Sequence, residues 1–145
     1  MKKWLKDPLF YLGVLMFLFW IADAVYKTFV LQAPLRTLWF SSAALGITTI
    51  ALFTKSSFLI TSMFSAVTIT EGIWDVGFFS QLLFHKAIPG VATYAFASHY
   101  PKWEFFITLY HLFLVPVVIF ALVKLKKFTD LDGWVQHFLL LLSLF

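Results

Sequence analysis

Four side chains set inside apolar stretches carry the chemistry open to this sequence: Ser41, Glu71, Asp75 and His111. A hydroxyl, two carboxylates and an imidazole fit two kinds of machinery. In the first, His111 takes the proton of Ser41, Glu71 or Asp75 orients the imidazole, and the serine oxygen attacks an acyl carbon. That chemistry needs the three groups within hydrogen-bond reach. In the second, Glu71, Asp75 and His111 hold a proton or a hard or borderline cation, as in a small transporter or a metal-dependent enzyme. The E-x-x-x-D spacing sets both acids on neighbouring turns of a helix and suits either.

Each group also has a plainer role. Asp23 and Lys27 are spaced for an i,i+4 pair. Asp75 lies close enough to a helix end to reach headgroup water. His111 could make an ordinary interhelical hydrogen bond to Glu71 or Ser41, and Ser41 and Ser42 could simply pack. The hydroxyls of Thr48, Thr49, Thr61 and Thr68 are expected to bond back to their own helices. His85 and His99 read as loop residues, and His137 has no visible partner.

The element that must position the two acids is the stretch from Thr61 to Asp75. At 100° per residue, Thr61, Ser65, Thr68, Gly72 and Asp75 fall within about 40° of one line along a helix, with Glu71 at its edge. Phe58, Ile69 and Ile73 lie on the opposite side. In lipid such a stripe must be buried, so the other helices are expected to gather around it.

Composition places that helix in a membrane. The chain has 145 residues, 61% hydrophobic and 12% charged, with a mean hydropathy of +0.90. A soluble domain is nearer 45–50% apolar and about 25% charged. It has no cysteine, which removes disulfides, thiolate metal sites and a cysteine nucleophile. The net charge of +4 is no sign of nucleic-acid binding, because the cations cluster at the ends of apolar runs.

The expected fold is an all-α polytopic bundle, one membrane domain over 1–145. Its spans are about 8–30, 35–53, 57–79 and 103–123, with a partial fifth at 134–145. The first is read as a retained span, since the run from Leu9 to Tyr26 is long for a signal peptide and no small-x-small site ends it. Pro8 suits a first helical turn and Pro116 predicts a kink. Pro89-Gly90 and Pro101 make 80–102 a loop or re-entrant segment. Twelve residues at 134–145 cover only about 18 Å, against about 30 Å of hydrocarbon. With the N-terminus inside, Lys2, Lys3, Lys6, Lys55, Lys124, Lys126 and Lys127 fall on the cytoplasmic side. Lys27, Arg36, Lys86 and Lys102 fall outside. This balance predicts a cytoplasmic N-terminus, in the plasma (inner) membrane of a prokaryote. On that topology Asp23, Ser41, Ser42, Glu71, Asp75 and His111 all lie in the outer half of the bilayer, which marks a polar pocket there.

Two resemblances follow from these residues. The segment LYHLFLVPVVIF, with His111 five residues before Pro116, resembles the histidine helix of the androgen-induced-protein-like membrane hydrolases. That family pairs an intramembrane threonine with a histidine to cleave lipid esters, and LRTLWFSSA resembles the entry to its threonine helix. The likeness implies Ser41 in the nucleophile's place, where the family has threonine. The pattern LWFSSAALGIT, EGIWDVGFF and LYHLFLVP, across most of 36–123, is similar to an uncharacterised group of bacterial membrane proteins and implies no activity. The leading expectation is an outer-leaflet pocket acting on lipid, as a hydrolase or acyltransferase. The alternatives are a proton- or cation-coupled transporter or channel subunit, which in four spans calls for a homo-oligomer, and a structural scaffold.

Overall fold

The computed structural model describes residues 7–97 and 102–125, and the expected half-span at 134–145 lies outside them. Among the described residues the elements are helical and no strand is formed. Helix α1, Pro8–Val25, begins on Asp7, whose carboxylate accepts the Leu9 N–H at 3.0 Å, with Pro8 at the first helical position. A single π turn, Tyr26–Val30, continues it. A short 3-10 helix, Pro34–Leu38, precedes α2, Phe40–Thr54. The long α3, Ser57–Phe84, is capped by Ser56, whose hydroxyl accepts the Leu59 N–H. A turn at Pro89-Gly90, with Gly90 at φ 78°, leads to the 3-10 helix Thr93–Phe96. Helices α4, Lys102–Thr108, and α5, Tyr110–Leu125, complete the described chain.

Three boundaries differ from expectation. The second expected span, 35–53, divides at Trp39, which is extended (φ −57°, ψ 145°). That leaves α2 with 15 residues, about 22 Å long. The third runs on to Phe84, since nothing in Ser80–Phe84 breaks a helix, and His85 ends it in the left-handed conformation. The fourth divides at Leu109, so His111 stands in the first turn of α5 rather than two turns into a continuous helix. Two stretches, Pro8–Val30 and Phe105–Leu125, are long and apolar enough to cross a membrane. α3 is longer but more polar.

Helix α1 packs mainly on α2, α3 mainly on α5, and α2 joins the two pairs. Met16, Leu45, Leu52, Ile60, Leu114, Val118 and Leu122 fill the shared core. The face of α3 that enters it runs through Ile60, Met63, Val67, Glu71, Trp74 and Phe78. At helical spacing this face lies roughly 120° round from the hydroxyl stripe. The stripe is fully buried only at Thr61 and half-buried from Ser65 to Asp75, so the helices do not centre on it as expected. Thr61, Ser65 and Thr68 each bond to the carbonyl four residues back, so their hydroxyls need no other helix. Thr49 does the same, whereas the buried Thr48 hydroxyl has no partner. Ile69 and Ile73 are exposed, since at helical spacing they lie roughly 120–160° round from the buried face.

At one end of the bundle the Lys55 ammonium, on the α2–α3 turn, pairs with Asp7 and holds its carboxyl below the usual carboxylate value. The small residues of α2 serve close packing. A Cβ on Gly46 would lie 2.9 Å from the Trp20 indole of α1. Gly46→Val is expected to lower stability by about 1–3 kcal/mol through overpacking. Thermal unfolding of the purified protein in detergent reads this, and an unchanged midpoint would contradict the close α1–α2 approach.

Candidate functional site

Two buried pairs hold the ionisable groups. On α1, Asp23 accepts a 2.9 Å hydrogen bond from the Lys27 ammonium, as the i,i+4 spacing predicts. Lys27 also donates to Ser42 on α2, which the sequence does not announce. The π turn beginning at Tyr26 widens the backbone here, and a wide turn of this kind displaces the side chains it carries. On the other side of the bundle, His111 Nδ1 pairs with Glu71 Oε2, joining α5 to α3. Both residues are buried, Glu71 at 3% exposure and His111 at 7%.

The imidazole is held on both faces as well. Trp74 stacks on one side with ring centroids 4.4 Å apart, and Tyr110 on the other at 4.3 Å. Trp74 is itself fixed: its indole N–H donates to the Tyr94 hydroxyl at 3.0 Å, and Phe78 stacks on it at 5.2 Å. The carboxylate on Nδ1 selects the tautomer with its proton there and leaves Nε2 as the acceptor nitrogen. The Tyr110 phenol hydrogen-bonds the side chains of Ser41 and Ser42.

Ser41 and His111 line one cavity of about 360 Å³, together with Asp23, Lys27, Arg36, Trp39, Tyr94 and Tyr110. Three of the four expected site residues therefore come together: His111 and Ser41 at the cavity, and Glu71 behind His111. The fourth, Asp75, does not line the cavity. It lies one turn beyond Glu71 on the hydroxyl stripe, and its Oδ1 is buried without a hydrogen-bond partner. Of the two acids it is Glu71 that orients the imidazole. Glu71 points into the core because it sits at the edge of the stripe nearest the buried face. Among the described residues no three His, Asp or Glu side chains are grouped closely enough to hold a metal ion, and this includes Glu71, Asp75 and His111.

The cavity lining and the surroundings of His111 contain groups that sequence spacing did not bring forward. Tyr110 was legible only as the residue before His111, and Trp74 only as the residue before Asp75. Arg36 stood out only as a cation on the outer side, and Trp39 only as part of the LRTLWFSSA segment. Their place beside Lys27 depends on the π turn and the extended Trp39 backbone, neither of which has a sequence signal here.

If the Glu71–His111 pair is the contact that joins α3 to α5 at this end, His111→Ala strands a buried carboxylate. The expected loss is about 3–5 kcal/mol. Adding Glu71→Gln should recover a large part of it, and the four-variant cycle of unfolding midpoints measures the coupling. Additive losses would show that the two side chains do not interact. The chain matches no protein-family model, no curated protein and no solved structure.

Proposed function

We propose that this chain is a membrane-embedded helical bundle whose cavity cleaves or transfers the acyl group of a lipid ester. Ser41 is the nucleophile, His111 the base and Glu71 its orienting acid. The observation that carries the reading is that Ser41 and the Glu71-paired His111 share one cavity. In the reaction, Ser41 Oγ forms a bond to the acyl carbon while its proton passes to His111 Nε2. The ester C–O bond then breaks and His111 returns the proton to the leaving alkoxide. Water releases the acyl group from Ser41 in a hydrolase, and a second alcohol takes it in a transferase.

The membrane setting is supported by the surface. Leu18 on α1, Ile69, Val76 and Phe84 on α3, and Phe29, Leu35 and Phe106 on the shorter elements are each 60% or more exposed. Apolar cover of that extent is unusual for a soluble monomer. It suits four spans in lipid, with the cavity in the half of the bilayer away from Lys55. The native chain lacks cysteine, so single substitutions report topology directly. Lys55→Cys should react with an impermeant maleimide only after permeabilisation of right-side-out vesicles, and Lys86→Cys without it. The reverse pattern would invert the topology.

A second reading is favoured by the closeness of Ser41 to the Tyr110 phenol: the polar groups lock helices together and do no chemistry. The two readings differ in one experiment. As a nucleophile, Ser41 should take up a fluorophosphonate probe. Ser41→Ala should abolish labelling, and His111→Ala should slow it by about 10²–10⁴-fold. Unlabelled wild-type protein, shown folded by its unfolding transition, would leave only the lock.

A further inference from the structure

The cavity mouth carries more positive than negative charge. Among its lining residues Asp23 and Lys27 cancel, which leaves Arg36. Arg36 takes part in no salt bridge among the described residues; its guanidinium stands 5.1 Å from the centre of the Trp39 ring. The Lys27 ammonium stands 5.8 Å from the same ring, so one indole spaces two cations. An ammonium has three N–H donors. Asp23 and Ser42 take two of those of Lys27, whose side chain lines the cavity.

A second, apolar cavity of about 310 Å³ adjoins the first. Leu15, Leu18, Phe19 and Ala22 of α1 line one side, and Phe106 and Ile107 of α4 line the other. Ile107 also lines the polar cavity, so the two are neighbours. From Ala22 to Leu15 the groove follows α1 for about 10 Å at helical rise, away from the charged mouth.

We infer that the two cavities form a single site for an anionic amphiphile. Its negatively charged head lies between Arg36 and Lys27, and one acyl chain lies along the α1–α4 groove. The inference rests on the proposed reading of the cavity as a lipid site and names the class of lipid. A zwitterionic head would bring a second cation to a mouth that already holds an unbalanced one. A free anion would leave the groove unused. A linkage between head and chain would lie along the cavity wall that carries Ser41 and His111.

Native mass spectrometry of the full chain in a neutral maltoside detergent tests this. Phosphatidylglycerol, oleate, phosphatidylcholine and inorganic phosphate are added separately at equal concentration. Phosphatidylglycerol or oleate should be retained about tenfold more than phosphatidylcholine, roughly the value of one charge-assisted hydrogen bond. The stronger of the two tells a phosphate head from a carboxylate head. Arg36→Gln should erase the preference and Arg36→Lys keep much of it. Ala22→Phe, at the entrance to the groove, should weaken retention of oleate more than that of octanoate. Equal retention of all lipids, a preference unchanged in Arg36→Gln, or phosphate binding without lipid binding would overturn the site. Anionic-lipid retention by a chain that no fluorophosphonate labels would uphold the site and sink the hydrolase. Labelling without any anionic preference would do the opposite.

Discussion

Leaving a buried carboxylate without its partner costs about 3–5 kcal/mol, and the two most deeply buried acids, Asp23 and Glu71, set the terms for this bundle by each requiring one. They are neutralised in different ways. Asp23 finds Lys27 on its own helix, a local pairing that can form before any tertiary contact. Glu71 has no basic residue within reach on α3 and must wait for His111, 40 positions away. The rotation of α3 about its axis follows from this. A helix with hydroxyls on one side and aliphatic residues on the other turns neither fully inward. It turns so that Glu71 meets the imidazole, with Val67, Trp74 and Phe78 in the core beside it.

The same neutralisation bears on the proposed chemistry. An imidazole held by a carboxylate on Nδ1 and by rings on both faces has lost its rotational freedom, which is the condition for a base to act at a fixed place. Trp74 is restrained in turn by Tyr94, so the 3-10 helix Thr93–Phe96 helps to hold His111 without touching it. Tyr110 links the two pairs, since its ring stacks on His111 while its phenol reaches Ser41 and Ser42. The Asp23–Lys27 pair with Ser42 of α2, and the Glu71–His111 pair between α3 and α5, are thus joined through Tyr110.

How much of this was legible depended on the range of the interaction. Asp23–Lys27, the cap at Asp7-Pro8 and the back-bonded threonines are local and follow from spacing alone. Glu71 with His111 was legible at longer range only because both fell at one depth in the expected topology, which also drew Ser41 to the same place. Asp75 misled for a physical reason. A stripe of hydroxyls reads as a face that needs burial, yet each hydroxyl can satisfy itself on its own helix, so the stripe exerts little pull on neighbouring helices. Irregular backbone was the other blind spot. Neither the π turn nor the break at Leu109 has a proline or glycine at its position, and both arise from how the helices meet.

Those irregular segments share one location. The π turn supplies Tyr26 and Lys27 to the cavity, the 3-10 helix Pro34–Leu38 supplies Arg36, and the extended residue after it is Trp39. The 3-10 helix Thr93–Phe96 supplies Tyr94, and the break between α4 and α5 is flanked by Thr108 and Tyr110. The opposite end, around Asp7 and Ser56, is built from standard caps and a tight turn. A regular helix hides its backbone polar groups, whereas a π or 3-10 turn leaves some of them misaligned and in need of water or a polar neighbour. In an apolar setting such turns are tolerable only where they border a polar space. The irregular backbone and the cavity therefore go together: the π and 3-10 turns bring Lys27 and Arg36 to its lining, and the break before α5 brings Tyr110.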